Sequence, residues 1–316
     1  MADIVLNRTE HADATHTPGS VAASPQPAGQ PGGGTGPPAP PPAASPRPAL
    51  RSAGISLFLL GVLVLGFAGY LYGLSGVQEA RSQTVMFTQL QNQLANQVAP
   101  LGPTTPGAPV AILTMPSIGV RDLVVVQGTG PQNLTLGPGH RRDTPMPGQG
   151  GVSAIYGRVA TFGAPFARLA ELQPGSLITV TTGQGVSTYT VAAVTDGGQV
   201  IDDPWPDRLV LMTASSAIVP GSFVEVDARL TGSPRPSPGV APVISSSELP
   251  LAGDHSALAL TEVMEWALLL AVVAAGATFA ALRWSPWPAY LAAAPLILAV
   301  LWNLYQSLAM LLPNLY

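Results

Sequence analysis

Ser215 and Ser216 close an apolar run that begins at Leu209, and His140 stands upstream in a Gly/Pro-rich loop. A serine hydroxyl within hydrogen-bond reach of a histidine suits acyl transfer, because the imidazole takes the hydroxyl proton as the new bond forms. Nothing in the spacing brings the three together, and surface serines in a loop beyond a strand are the simpler account. The other reactive groups are few. The 316 residues include no Cys, which excludes a thiolate nucleophile, a disulfide and a thiolate metal site. Four scattered His offer no ligand spacing, so no metal or cofactor is expected. Every basic residue is Arg and the net charge is −4, a balance that argues against nucleic acid as a partner.

The elements that would carry these groups lie between residues 108 and 231, and they read as β-rich. Short apolar runs at residues 111–113, 123–126, 152–156, 177–182, 187–194, 209–212 and 223–230 are separated by Gly, Pro and Asn. Gly183-Gln184-Gly185 marks a hairpin between two of them. Residues 137–166 read as a loop feeding a buried strand, with a short helix opening near Pro165 and running to about Glu171. That many short strands in about 120 residues predicts a compact closed barrel.

Membrane-grade sequence flanks this domain. Residues 1–52, with a run dominated by Pro, Ala, Gly and Ser, read as a disordered cytoplasmic tail. Residues 53–76, 261–283 and 289–312 read as transmembrane helices, each holding about the ~20 apolar residues that a span requires. Arg47 and Arg51 precede the first, which places the N-terminus inside by the positive-inside rule and the β domain outside. Arg283 puts the turn between the last two spans inside as well. Residues 77–107 begin as a Gln-rich helix in which Met86, Leu90, Leu94 and Val98 recur every fourth residue, a stripe expected to pack on the domain. Residues 232–260 read as a Ser/Pro-rich linker. Asn303, Gln306 and Ser307 share one face of the last span, which predicts contact with another helix.

Several motifs across the domain resemble the sortases, the membrane-anchored cysteine transpeptidases of Gram-positive cell surfaces, and the actinobacterial class E type most of all. They are Met115-Pro116-Ser117-Ile118-Gly119-Val120, Gly137-Pro138-Gly139-His140, Pro147-Gly148-Gln149-Gly150-Gly151, Phe162-Gly163-Ala164-Pro165-Phe166 and Leu209-Val210-Leu211-Met212-Thr213. The resemblance implies a sortase-like closed β-barrel and a Cys/His/Arg triad acting on a sorting-signal peptide. At the positions it assigns to Cys, His and Arg stand Ala214, Arg158 and Phe223. Ala carries no nucleophile, Arg stays protonated and cannot shuttle a proton, and Phe donates nothing to an oxyanion.

The expectation is therefore a mainly β sortase-like barrel with three transmembrane helices and no catalytic residue, acting in binding or assembly at the cell surface. Its partners would be the bilayer and another membrane or surface protein. An alternative is a transpeptidase or hydrolase using Ser215 or Ser216 with His140. A further one makes the helices the working part and the barrel an outer cap. Arg158 reads either as a salt-bridged filler of the old cleft or as a grip on a carboxylate.

Overall fold

The computed structural model describes residues 48–196, 204–216 and 221–316. The expected Pro-rich tail lies outside the described residues as far as residue 47. Ala53–Tyr316 form one compact unit.

Eight strands build the domain: β1 (Pro109–Met115), β2 (Val120–Gln127), β3 (Gly139–His140), β4 (Val152–Tyr156), β5 (Leu177–Thr182), β6 (Gly185–Thr195), β7 (Arg208–Ala214) and β8 (Phe223–Thr231). They close into a barrel in the order β1-β2-β3-β4-β7-β8-β6-β5, which leaves no open sheet edge. The pairs β2–β3 and β4–β7 are parallel, and the other neighbours run antiparallel. The β5–β6 hairpin turns through Gly183-Gln184, with Thr182 paired to Gly185. Gly185 sits at φ 105°, where a side chain would be strained.

Side chains alternate along a strand, so one strand can serve two clusters. Ile155 of β4 and Leu209 and Leu211 of β7 point into the main core with Leu113, Val125, Phe166 and Val226. Their neighbours Ala154, Tyr156, Val210, Met212 and Ala214 point the other way and form a second cluster. β4 and β7 are thus covered on both faces. That explains why both read as continuous apolar runs rather than alternating ones.

The helix predicted over residues 164–171 is not formed; only a 3-10 turn at Leu169–Glu171 remains. The chain instead coils through Phe162, Gly163 and Ala164, all at positive φ (49°, 74° and 47°), and no α-helix can start from left-handed residues.

Among the described residues three helices are long and apolar enough to cross a membrane. The first, α1 (Pro48–Gly69), passes through a π turn at Tyr70–Leu74 directly into α2 (Ser75–Ala95). On α2, Met86 and Leu90 pack on Val124 and Val126 of β2, with Leu94 partly buried beside them. Val98, placed on the same stripe from sequence, is 68% exposed, because the helix has ended and Gln97 turns through φ 59°. Gln83 adds a polar clasp: its amide accepts from Val124 N (2.8 Å) and donates to the carbonyls of Val124 (3.0 Å) and Leu136 (2.8 Å). The side chain thereby mimics a neighbouring strand.

The remaining helices, α3 (Ala257–Arg283) and α4 (Pro286–Met310), form a hairpin. Ser307 of α4 donates to Glu262 of α3 (3.1 Å), so part of the polar face of the last span meets its neighbour. Asp254 N, just before α3, donates to the Met310 carbonyl at the end of α4 (3.0 Å). The start of α3 and the end of α4 therefore lie together on the barrel side of the hairpin. The segment read as a linker runs along the barrel: Arg235 N donates to Gly148 O (2.8 Å), and Arg142 pairs with Glu248.

Candidate functional site

The outer face of β4 and β7 is where the sequence places its substituted positions. The β4–β7 register ends at Tyr156 opposite Met212, and Gly157 N still donates to Met212 O (3.0 Å). Across the other edge of β7, its last residue Ala214 pairs with Phe223, the first residue of β8. Ala214 and Phe223 thus stand side by side, and Arg158 follows two residues beyond the last paired position of β4.

Arg158 is fully buried. Its Nη1 donates to Thr161 Oγ1 (3.2 Å) and its Nη2 to the Pro131 carbonyl (3.4 Å), while Nε has no partner. The guanidinium carbon lies 4.9 Å from the centre of the Phe162 ring, and the left-handed residues 162–164 bring that ring underneath it. Such a cation–ring contact contributes roughly 0.5–2 kcal/mol when desolvated. Among the described residues no ion pair includes Arg158, so the salt-bridged filler foreseen from sequence is not what the cleft contains. Burial pushes its pKa down to about 10, which still leaves the group protonated at neutral pH.

A segment of the chain itself covers the position. After α4 the backbone leaves the helix and lays Leu315 on the outer face of β4 and β7, while the Tyr316 ring packs on Tyr72. Leu315 is fully buried among Ala154, Tyr156, Val210, Met212 and Ala214. Burying one leucine side chain in this way contributes about 1.5–3 kcal/mol. Val159 N donates to the Leu315 carbonyl (3.0 Å), and Thr161 Oγ1 to that of Tyr316 (2.7 Å). Asn314 anchors the other side: its N donates to Ala252 O (2.7 Å) and its Nδ2 to the carbonyls of Ser247 (2.5 Å) and Leu249 (2.9 Å). Sequence reasoning missed this segment, having assigned the third span as far as residue 312 and nothing beyond it. The one available signal is Pro313, which cannot continue a helix and forces the chain to turn.

The residues of the serine alternative are engaged elsewhere. His140 is buried on β3, with Nδ1 3.2 Å from Gln127 Oε1 and Nε2 2.9 Å from the Pro145 carbonyl. Burial lowers its pKa to about 4, so the imidazole is neutral and pins the loop that follows it. Ser215 Oγ pairs with Ser222 Oγ (2.6 Å), and Ser216 is half-buried beyond the end of β7. Both ring nitrogens of His140 are occupied by other atoms, and no serine is among their partners.

Residues 113–218 match a family model described as the sortase domain. Over these residues the barrel resembles a sortase domain. It is similar to a sortase transpeptidase of Clostridium perfringens at 20% identity, covering 48% of this chain and 99% of that one with a TM-score of 0.42. Sortase E of Streptomyces avermitilis matches at 29% identity, over 41% of this chain and 91% of that one, with a TM-score of 0.36. A sortase C of Clostridium perfringens, solved with the C-terminal cell wall sorting motif, matches at 18% identity over 49% and 90% with a TM-score of 0.37. No curated protein matches the sequence. The chain carries no cysteine at any position, so thiolate attack on a peptide carbonyl is unavailable to it.

Proposed function

We propose that this chain is a membrane-anchored, non-catalytic sortase-type subunit that binds or assembles with another protein at the cell surface. In pattern it is nearest to the class E sortases of actinobacteria. The observation that carries the reading is Ala214 at the nucleophile position of a chain without Cys. Two further features support it. Arg158 is a permanent cation that cannot accept a proton, and the candidate serine and histidine are bonded to other groups. In this reading the N-terminus is cytoplasmic, on the strength of Arg47 and Arg51, and the barrel faces outward.

Activity and topology are tested separately. The purified protein, offered sorting-signal peptides and an amine acceptor, should neither cleave nor transfer them, and a fluorophosphonate probe should leave Ser215 and Ser216 unlabelled. Turnover abolished by Ser215→Ala or Ser216→Ala would restore the enzyme reading. A cysteine introduced at Ser237 should react with an impermeant thiol reagent on intact cells, and one at Ser285 should not. Removal of the barrel distinguishes a binding role for it from a role of the helices alone: partner capture in mild detergent should be lost with it.

A further inference from the structure

The groove beside Arg158 is closed by a segment tethered to a transmembrane helix, and that connection has a functional consequence. Leu315 stands five residues beyond Met310, the last residue of α4. The segment is a turn, closed by Tyr316 N donating to the Pro313 carbonyl (3.1 Å), and its contacts are those by which a surface holds a peptide turn. One main-chain carbonyl is bonded by Val159 N, a second by Thr161 Oγ1, and one apolar side chain is buried above Ala214. Main-chain bonds of this kind supply affinity while the buried side chain supplies selectivity. Next to the covered surface lies a fully buried guanidinium that has no carboxylate partner among the described residues and whose Nε is unbonded. A segment that served only as a permanent lid would more simply cover an apolar residue, because stranding a cation is costly.

We propose that residues 313–316 are a displaceable built-in ligand, a latch through which the position of α4 decides whether the groove is open. A helix from another membrane protein that draws α4 away from the barrel would withdraw Leu315 and expose Val159, Arg158 and Ala214 together. The released groove takes a peptide turn of the same chemistry, with an Asn-Leu pair at the centre of the turn. This rests on the binding reading for its outside ligand, whereas the seating of the latch can be measured without any partner.

The absence of native Cys makes a clean reporter available. Ala214→Cys, introduced singly into the full chain in detergent, places one thiol beneath Leu315. A methanethiosulfonate reagent should label it slowly. Adding Leu315→Ala or, as a milder opening, Asn314→Ala should raise the labelling rate at least about tenfold while the barrel keeps its near-ultraviolet circular dichroism. A synthetic peptide with the sequence of residues 311–316 should restore protection in the Leu315→Ala background, and the same peptide with Asp in place of Leu315 should not. Rapid labelling with the native latch present, or labelling unchanged by both openings, overturns the latch. Faster labelling that the peptide fails to reverse overturns its role as a ligand and leaves it a simple cover. None of these outcomes depends on whether the barrel transfers peptides, so the failure of the non-catalytic reading would be seen separately.

Discussion

The two ends of β7 bury arginine in opposite ways. At its start Arg208 reaches the fully buried Asp227 of β8 (3.2 Å), so cation and anion enter the protein together. Near its far end Arg158 has Thr161, the Pro131 carbonyl and a phenyl face for company, and no ion-pair partner among the described residues. His140 on β3 shows a third solution: as burial penalises its charged form, it gives up the charge. Arginine cannot do likewise, since even the lowered value of about 10 leaves it ionised at neutral pH. The contrast teaches that Arg208 is explained by the stability of the barrel, and Arg158 is not.

The largest effect should follow from breaking the paired end. Asp227→Ala strands Arg208 and should cost about 3–5 kcal/mol in a denaturant titration, the usual loss when one member of a buried pair is removed. A loss under about 1 kcal/mol would erase the distinction between the two ends.

The neutralised group should show itself in pH dependence. The His140 pKa is about 4 in the folded protein against about 6.5 unfolded, so between those values the unfolded chain binds more protons. Its stabilising contribution is complete above pH 6.5 and declines as pH falls toward 4, by at most about 3 kcal/mol. His140→Gln, which can still donate to the Pro145 carbonyl, should flatten the profile over that window. An unchanged profile would mean that His140 is not held neutral.

The smallest effect is expected at the stranded end. Arg158→Met replaces the charge with a flexible apolar chain of similar length, and the midpoint of unfolding should rise or move by less than about 1 kcal/mol. With the latch in place its effect on partner capture should be small, and it should grow once Leu315→Ala opens the groove. Unfolding of the barrel by Arg158→Met would make that cation structural after all.

The barrel was legible because strand patterning is local. Leu209 to Met212 and Val152 to Tyr156 announce buried strands by composition alone, and Gly183-Gln184-Gly185 announces a turn. Motif spacing singled out Arg158 and Ala214, and the β4–β7 register ends at Tyr156 opposite Met212, two residues short of both. Three things were not legible. The helix expected from Pro165 onward failed because Phe162 and Ala164 adopt left-handed conformations that their residue types disfavour, under the influence of Arg158 packing and the bond from Phe162 N to Ser75 Oγ (2.9 Å). The missing counter-ion of Arg158 is a property of what surrounds it in space. The latch joins residues 314–316 to Val159 and Thr161 over some 155 positions of chain, a pairing for which no local pattern exists.

The unbroken helix from Arg51 to Ala95 has a mechanical consequence. At 1.5 Å per residue its 45 residues reach about 65 Å, roughly twice the ~30 Å hydrocarbon thickness of a bilayer. If its apolar half crosses a membrane, its polar half is a stiff mast, and the Gln83 clasp and the Met86 and Leu90 contacts fasten the barrel along the side of that mast. A domain so mounted has a set height above the lipid and little freedom to swivel. Torque applied to the helix inside the membrane would reach the barrel as a rigid turn, with no slack stalk to absorb it.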